Sequence, residues 1–398
     1  MAVITVHETN QTTLADLVVE SGLKRVHILS WRDFDDSEAG GSELHAAMIA
    51  KLWSEAGIDI TMRTSAVAGA AAEVTRDGCQ VIRRGGRYTV FPRGAFAEAT
   101  GRHGPADGIL EVWNGVPWLS PLWARVPRTI MIHHVHQHMW DLVLSRNLAR
   151  AGKFIETRLA PPAYRSTSIV TPSPSTQAEV VDVLGMSPNR VSVASPGIAA
   201  RFSPLAGRLS PTPLIVSVGR LTKMKRFDEM IRIAAETRRT QPDLQLVIAG
   251  SGPEMSTLQK LVGQLGAGSW VRLLGRVTDA ELVDLYRQAW VVASASMAEG
   301  WGMTLTEAAA CGTPAVATRI TGHCDSVVDG VTGLLADDSR DLAHQLGLVL
   351  SDRALRESLA TKAAQRAAEM TWERCALGTF APLAEAAILR AQERDLKV

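Results

Sequence analysis

Regular alternation of strand-like and helix-like segments in the second half of the chain restricts the fold more than any other feature. Short apolar segments typical of buried strands alternate with longer segments of helical periodicity, and the connections between them are short. Strands are predicted at 214–218, 244–249, 271–274, 291–296 and 315–318, and helices at 227–240, 253–265, 279–289 and before Cys311. Such β/α units form a parallel, doubly wound α/β sheet, whose ligands bind at the carboxyl ends of the strands.

The first half shows a weaker version of the same alternation. Strands are predicted at 25–31, 59–64, 109–113, 129–132, 168–171 and 190–194, and helices at 42–56, 148–159 and 175–184. Residues 66–108 are poorly patterned, and a stretch rich in Pro, Ser and Gly begins near residue 195. We therefore predict an N-terminal Rossmann-like domain at 1–196, a linker at 197–212, a second Rossmann-like domain at 213–372 and a C-terminal helix at 373–398.

Composition narrows the function. The 398 residues suffice for two or three domains, and 42 basic against 41 acidic residues give no overall attraction to nucleic acid. No apolar run approaches the roughly 20 residues that cross a bilayer, and residues 1–20 lack the pattern of a secretory signal. The four cysteines are scattered, without metal or redox spacing. We expect a cytoplasmic protein, and a place at the inner face of the membrane stays open.

The loop after the predicted strand 291–296 carries the clearest ligand signal. Residues 299–302 form a glycine-containing turn that leads directly into a helix. The first backbone N–H groups of a helix have no intrahelical partner and lie at the positive end of its dipole. The amides of Gly302, Met303 and Thr304 therefore form a candidate phosphate site.

Two carboxylates bracket this turn. Glu299 lies in the turn and Glu307 lies one helical turn further on. A diphosphate bound to the amides would leave both carboxylates free to hold hydroxyl groups on either side of it. Two simpler interpretations stay open: Glu307 forms a capping box with Thr304, and Glu299 is a solvated loop charge.

The segment 299–316 also resembles the Glu-x7-Glu signature of the family-4 retaining glycosyltransferases. The matching residues are Glu299, Gly300, Trp301, Gly302, Glu307, Ala308, Ala310, Cys311, Gly312, Thr313, Pro314 and Val316. Members of this family move a sugar from a nucleotide-diphosphate donor to an acceptor. The resemblance implies the GT-B fold, in which two Rossmann-like doubly wound domains face each other across a cleft. The first domain is then on the acceptor side, the second binds the donor, and the final helix crosses back to the first.

The loop after the strand 214–218 is basic. Arg220 can fork two donors onto a phosphate, and Lys225 can add a point charge, although basic loop residues often face solvent. Gly219, Arg220, Leu221 and Lys225 resemble the family pattern Gly-Arg-Leu-x-x-x-Lys. The resemblance implies that Arg220 and Lys225 grip the donor diphosphate, with no metal ion and no other cofactor.

A second glycine-containing turn, residues 40–43, precedes the first long helix. Its amides could meet an anion or a sugar, or its glycines could serve the turn alone. The sequence resembles the family's Gly-Gly-x-Glu, which faces the cleft. We therefore assign Gly41 to donor binding and Glu43 to the acceptor side.

Residues 133–138 contain four histidines, His133, His134, His136 and His138. A metal site stays open as an alternative, although no cysteine or carboxylate nearby has ligand spacing. The resemblance instead implies that His133 ends its strand next to the donor sugar and acts in catalysis. His134 stands where the family often has Asp, and with Trp140 it is assigned to the acceptor side.

Two other charged groups have alternative interpretations. Asp33 and Asp35 match Asp-x-Asp, which binds a divalent metal in a different glycosyltransferase fold but is also common among solvated loops. Arg83, Arg84, Arg87 and Arg93 form either a solvated basic loop or a patch for an anionic acceptor or a peripheral membrane contact.

The resemblance as a whole implies a retaining glycosyltransferase that moves a hexose-type sugar from a UDP- or GDP-sugar to an unidentified hydroxyl acceptor. That acceptor is a small molecule, a glycan or a lipid-linked compound. Glu307 would hold the ribose hydroxyls and Glu299 those of the donor sugar. The alternatives are a nucleotide-sugar epimerase or hydrolase of the same fold, and a non-catalytic sugar-nucleotide binding protein.

Overall fold

The computed structural model describes residues 12–137 and 139–396. The strands of the first sheet are β1 (Arg25–Leu29), β2 (Asp59–Thr64), β3 (Glu73–Arg76), β4 (Cys79–Arg83), β5 (Gly108–Trp113), β6 (Arg128–Ile132), β7 (Ser168–Thr171) and β8 (Val191–Val193). Their spatial order is β3-β4-β2-β1-β5-β6-β7-β8. All neighbours are parallel except β3, which pairs antiparallel with β4.

Helices connect and cover this sheet. They are α1 (Leu14–Ser21), α2 (Gly41–Glu55), α3 (Val90–Ala99), α4 (Ser120–Trp123), α5 (Met139–Val143), α6 (Arg146–Phe154), α7 (Pro161–Tyr164) and α8 (Pro174–Leu184). Helix α6 continues into a π-helical turn, Ile155–Leu159. The sequence of residues 1–24 also predicts an extension before the first domain, and residues 1–11 of it lie outside the described residues. The described part contains α1, which packs through Val18 into the same apolar cluster as Phe380.

The second sheet is entirely parallel. Its strands are β9 (Leu214–Val218), β10 (Gln245–Ala249), β11 (Val271–Gly275), β12 (Val291–Ser294), β13 (Ala315–Thr318) and β14 (Gly333–Ala336). Their order is β11-β10-β9-β12-β13-β14. The helices that follow are α9 (Phe227–Thr237), α10 (Met255–Gln264), α11 (Asp279–Gln288), α12 (Met303–Ala310), α13 (His323–Ser326), α14 (Ser339–Ser351), α15 (Arg353–Ala367) and α16 (Trp372–Asp395).

In each sheet the first strand, β1 or β9, lies in the interior, and later strands are added first on one side of it and then on the other. Such a reversal of strand order places a ligand crevice beside the carboxyl ends of β1 and β9. Apolar residues fill both faces of the second sheet: Ile215 and Ile248 pack on one side, and Val216 and Val247 on the other. This two-sided burial explains why the strands there are short apolar runs.

The final helix, α16, begins in the second domain and packs on the first. Trp53 on α2 donates from Nε1 to the carbonyl oxygen of Ala376 at 3.1 Å, and its ring lies 5.1 Å from that of Phe380. The linker passes beside the start of α16, where a Cβ on Gly197 would lie 2.2 Å from the backbone nitrogen of Trp372. The chain passes between the two domains at the linker and at the start of α16, and these two segments are in contact. Within the part of the chain that the structure describes, no helix is both long enough and apolar enough to cross a bilayer.

The segment 66–108 contains β3, β4 and α3, which the sequence analysis did not predict. Strands β3 and β4 form a hairpin whose two-residue turn is Asp77-Gly78, and both residues have positive φ. Asp-Gly between two short strands is a strong hairpin signal. That signal was present in the sequence and was overlooked.

Candidate active site

A cleft of about 600 Å³ separates the carboxyl edges of the two sheets. This volume is in the range of small-molecule sites. All the site residues proposed from the sequence line it: Gly41, Glu43, His133, His134, Trp140, Arg220, Lys225, Glu299, Gly302, Met303, Thr304 and Glu307. The fold therefore brings the predicted residues to one cleft, although the first, Gly41, and the last, Glu307, are 266 positions apart (307 − 41).

The glycine-containing turn brings the two domains into contact. A Cβ on Gly300 would lie only 2.1 Å from the carbonyl oxygen of His133, so glycine alone fits there. Gly302 precedes α12 with a positive φ of 97° and provides no side-chain cap. The first amides of α12 therefore receive no hydrogen bond from an N-cap side chain. The turn before them lies against His133, at the end of β6 in the first domain.

Glu299 is held in its ionised form. Its carboxylate forms an ion pair with Lys225 and accepts a hydrogen bond from Ser296 Oγ at 2.8 Å. Burial opposes ionisation, but the Lys225 ammonium, together with His323 and Ser296, lowers the pKa of Glu299 below its usual value. Lys225 and Glu299, which were assigned to different parts of the donor, are thus each other's partner here.

Glu307 has the opposite environment. Tyr286 donates to its Oε2 at 3.1 Å, and burial raises the pKa of Glu307 to about 7 although Tyr286 and the more distant Arg201 oppose that rise. The capping-box interpretation is wrong, because α12 begins at Met303 with Gly302 as its N-cap. Thr304 therefore lies inside the helix, and Glu307 projects into the cleft with only Tyr286 donating to it among the described residues.

Arg220 reaches across the cleft. Its Nη1 donates to the carbonyl oxygen of Glu38 at 2.8 Å, and Arg32 Nη1 donates to the same oxygen at 2.7 Å. One guanidinium comes from each domain, so two positive charges converge at the place expected for a diphosphate. Arg32 was not predicted, although it follows β1 just as Arg220 follows β9.

The first domain also directs a helix N-terminus at the cleft. Helix α2 begins at Gly41, where a Cβ would lie 3.1 Å from Met303 Sδ of the opposite domain. The Glu43 carboxylate accepts from the backbone N–H of Gly40 at 2.8 Å and from Ser42 Oγ at 2.9 Å. Glu43 is therefore engaged at the helix start, and the positive ends of α2 and α12 face each other.

His133 belongs to a buried chain of three side chains. Its Nε2 lies 3.1 Å from His45 Nδ1, and His45 Nε2 lies 3.1 Å from Cys375 Sγ on α16. Burial lowers the pKa of His133 to about 4 and that of His45 well below its usual value, so both rings are neutral near pH 7. His133 Nδ1 is buried and has no hydrogen-bond partner among the described residues, which leaves it available to a ligand.

The segment after His133 is organised by Glu156, which the sequence analysis also missed. Its carboxylate accepts from the backbone N–H of His136 at 2.9 Å and from Trp140 Nε1 at 2.8 Å. His134 packs against His136 with ring centroids 4.3 Å apart, and burial lowers its pKa well below the usual value. Trp140 and His134 therefore form a neutral, largely apolar wall on the first-domain side.

Within the described residues, neither metal alternative has a ligand set. Asp33 is fully buried and pairs with Arg76 at 3.0 Å and Arg83 at 3.1 Å, while Asp35 pairs with the same arginines. In the described ranges, 12–137 and 139–396, no three His, Cys, Asp or Glu side chains are grouped to hold a metal ion. His138, the last of the four histidines, lies outside those ranges.

The four arginines between residues 83 and 93 do not form one patch. Arg83 is buried against Asp33 and Asp35, and Arg84 pairs with Glu73. Arg87 lies over the Trp31 ring in the cleft, 5.3 Å from its centroid. The alternative of one patch formed by all four arginines is therefore not supported, because Arg83 is buried in ion pairs and Arg87 lies in the cleft.

Comparison with known proteins identifies the family. A family model described as Glycosyltransferase Family 4 matches residues 39–202, and one described as Glycosyl transferases group 1 matches residues 206–366. D-inositol 3-phosphate glycosyltransferase of Kineococcus radiotolerans is 30% identical over 412 residues, which span 90% of this chain and 93% of that protein. The chain belongs to the family-4 and group-1 glycosyltransferases.

A further relative and a solved structure extend the comparison. D-inositol 3-phosphate glycosyltransferase of Thermobifida fusca is 33% identical over 229 residues. That match spans about half of each protein: 52% of this chain and 53% of the relative. Sucrose-phosphate synthase from Thermosynechococcus elongatus superposes with a TM-score of 0.76 at 20% identity, over 94% of this chain and 99% of that one. The predicted GT-B fold is confirmed.

Proposed function

We propose that this glycosyltransferase moves a hexose from a UDP- or GDP-sugar to an acceptor hydroxyl with retention of configuration. The bond between the anomeric carbon and the diphosphate oxygen breaks. The acceptor oxygen bonds to the same carbon on the same face, and the hydroxyl proton passes to the departing diphosphate. The observation that carries the proposal is the Lys225–Glu299 pair beside the N-terminus of α12, opposite His133.

Stabilisation of the leaving diphosphate is assigned to fixed positive groups. Lys225, Arg220 and the first residues of α12 line the same cleft. Arg32 joins them because it shares the Glu38 carbonyl oxygen with Arg220. Removal of one such preorganised donor costs about 2–4 kcal/mol of transition-state stabilisation. In this proposal side chains and amides take the place of a metal ion.

The two carboxylates and His133 hold the sugars. Glu299, which is ionised, accepts hydrogen bonds from hydroxyls of the donor sugar, and Glu307 accepts from the ribose hydroxyls. His133 presents the unpartnered Nδ1 to the donor sugar. Its neutral ring is compatible with positive character at the anomeric carbon, because a charged imidazolium there would repel it.

The acceptor side is assigned to the first domain. Trp140, His134 and Glu43 line that part of the cleft. We include D-inositol 3-phosphate among the candidate acceptors because the Kineococcus relative is named for it. We further infer a reducing, cytoplasmic setting, supported by four cysteines that are all free thiols.

The proposal is tested by incubation of the full chain with UDP- and GDP-hexoses and a panel of hydroxyl acceptors. Thermal shift selects the donor, since a bound ligand raises apparent stability. Mass spectrometry detects the glycoside, and NMR reports its anomeric configuration. Formation of a glycoside with the donor's configuration supports the proposal. An inverted product contradicts the retaining part, whereas acceptor-independent epimer or free sugar would instead favour the epimerase or hydrolase alternative.

A further inference from the structure

A second cavity, of about 430 Å³, lies in the first domain and shares no lining residue with the cleft among the described residues. One face of the sheet forms its floor. Arg63 on β2 pairs in register with Ile82 on β4, and alternation along β4 places Gln80, Ile82 and the following Arg84 on the same face. Helix α3 covers this floor with Arg93 and other residues, and a loop adds Arg102 and His103. We call this cavity the arginine pocket; its lining residues are Arg63, Glu73, Gln80, Ile82, Arg84, Arg93, Phe96, Ala97, Arg102 and His103.

The floor of the arginine pocket holds a buried cation. Arg63 is 1% exposed, and no carboxylate of the described residues lies within ion-pair distance of it. Its guanidinium donates instead to the carbonyl oxygens of Thr64, Ile82 and Arg84, and its Nε is buried without a partner. A buried charge without a counter-ion is costly, so this position is one that an anion would stabilise.

The acidic groups nearby are already engaged. Glu98 accepts from His27 Nδ1 and His103 Nδ1, both at 2.6 Å, and Glu73 pairs with Arg84. Burial lowers the pKa of Arg63 to about 10; Glu98 opposes this effect, and the nearby Arg84 and Arg93 reinforce it. The charge on Arg63 is thus crowded by other cations.

Two further arginines at the rim have no carboxylate partner among the described residues. Arg93 lies on the exposed side of α3, and Arg102 stacks over the Phe96 ring at 5.0 Å. The Phe96 side chain is 56% exposed, so an apolar surface adjoins the charged one. The pocket therefore combines several fork-shaped donors with one aromatic face.

We propose that the arginine pocket is a second ligand site that binds a phosphate-bearing anion, a phosphate monoester or diphosphate, independently of the catalytic cleft. Planar guanidinium groups bind such oxyanions through paired hydrogen bonds. Arg84, Arg93 and Arg102 contact the anion at the rim, and Arg63 supplies the buried charge beneath it. The source of the anion is either a soluble phosphate ester or the headgroup of a lipid.

The test is calorimetric titration with inorganic pyrophosphate. Because pyrophosphate also suits the cleft, all proteins carry Arg220→Gln and Lys225→Gln, which weaken the cleft site. Addition of Arg93→Gln and Arg102→Gln should raise the dissociation constant about tenfold or more, since hydrogen bonds to charged groups are lost. A matched control with Arg146→Gln and Arg150→Gln, two exposed positions on α6, removes the same charge and should stay within about twofold.

A second variant guards against a folding defect. Gln80→Glu places a negative charge in the pocket without truncating a residue, and it should weaken binding by a similar factor. Equal pyrophosphate affinity in the background protein and both pocket variants would overturn the proposal, as would an equal loss in the α6 control. Failure of sugar transfer by the wild type would not affect this result, since the described lining residues of the two sites do not overlap.

Sedimentation with vesicles distinguishes the two sources. Vesicles of phosphatidylcholine with phosphatidic acid are compared with phosphatidylcholine alone, using wild type and the Arg93→Gln/Arg102→Gln variant. Sedimentation that requires phosphatidic acid and is lost in the variant assigns the pocket to a lipid headgroup. Loss of pyrophosphate binding alone assigns it to a soluble phosphate ester, and loss of neither overturns the proposal.

Discussion

The turn around Glu299 and the first part of α12 around Glu307 belong to one motif but shift the pKa of their glutamates in opposite directions. Glu299 lies beside Lys225, which lowers its pKa, whereas Glu307 has a phenol as its neighbour and a pKa raised by burial to about 7. The difference comes from Lys225, in the loop after β9, and from Tyr286, on α11. A repeated residue type within a motif therefore does not imply a repeated role.

This contrast divides the proposed work between the two regions. An ionised Glu299 that is held by Lys225 suits the reacting end of the donor, where positive charge develops. Glu307, which titrates near neutral pH, suits the recognition of hydroxyls away from the reaction. Predictions follow from that division, and the largest effect is expected at Glu299.

Replacement of Glu299 should affect turnover most. Glu299→Gln keeps the shape but removes the charge, so kcat should fall about 100-fold or more while the donor dissociation constant changes little. Steady-state kinetics and donor titration measure the two quantities. Glu236→Gln, at an exposed position on α9, is the matched control and should behave as the wild type. Unchanged turnover in Glu299→Gln would remove Glu299 from the catalytic machinery.

Loss of Lys225 should be nearly as severe and should not add to the first change. Lys225→Gln removes a diphosphate contact and also leaves Glu299 without its cation, which costs about 2–4 kcal/mol in kcat/KM. Because the two groups are paired, the double variant with Glu299→Gln should lose less than the sum of the single losses. Strict additivity in this double-mutant cycle would show that the pair is not a functional unit.

Glu307→Gln should weaken donor binding about tenfold and remove a pH dependence. The ionised carboxylate accepts two hydroxyl hydrogen bonds, whereas the protonated form accepts fewer. Wild-type donor affinity should therefore rise as the pH increases through about 7, the pKa of Glu307. Calorimetric titration across this range measures the slope. A variant with the wild-type slope would assign the titration to another group.

The stability of the same variant should change with pH in a defined direction. The pKa of Glu307 in the folded state, about 7, exceeds the value near 4.3 of an unfolded glutamate. The folded protein therefore binds the proton more tightly, and wild-type stability falls as the pH rises from about 4.3 to about 7. Glu307→Gln removes the titrating group and so does not show this loss. The melting temperature of the variant minus that of the wild type should therefore increase by about a few degrees as the pH rises through this range. A constant difference would contradict the buried, raised pKa.

Tyr286→Phe should have the smallest effect. It removes the hydrogen bond to Glu307 Oε2 and should cost about 1 kcal/mol of stability. Tyr286 also favours the ionised carboxylate, so its removal should shift the midpoint of the donor-affinity profile to higher pH. An unshifted midpoint would show that burial alone sets the pKa of Glu307.

Sequence reasoning located the fold and the motif because both depend on local order. The β/α alternation predicts β2, β7 and β9 with their observed bounds, and the carboxyl-end rule leads to Arg220 and Lys225. The edge hairpin β3–β4 was missed although its Asp77-Gly78 turn is a hairpin signal in the sequence. Its outer strand, β3, alternates exposed and half-buried residues and so lacks the apolar run that marks the buried strands.

The unpredicted site residues are those that long-range contacts define. His45 and Cys375 are 330 positions apart, and nothing near either residue indicates that they meet behind His133. Glu156 lies in the π-helical turn after α6, and its two hydrogen bonds join it to residues that are 16 and 20 positions away in the sequence. Local patterns thus predicted the second-domain residues that line the cleft, whereas the supports of His133 required the folded chain.

The most direct test of the diphosphate site is a crystal structure of the full chain with the nucleotide diphosphate that stabilises it most. The account predicts phosphate oxygens within hydrogen-bond distance of Arg220, Lys225 and the first amides of α12, with the ribose hydroxyls on Glu307. A nucleotide bound elsewhere, with Arg220 still on the Glu38 carbonyl oxygen and Lys225 paired to Glu299 alone, would contradict it.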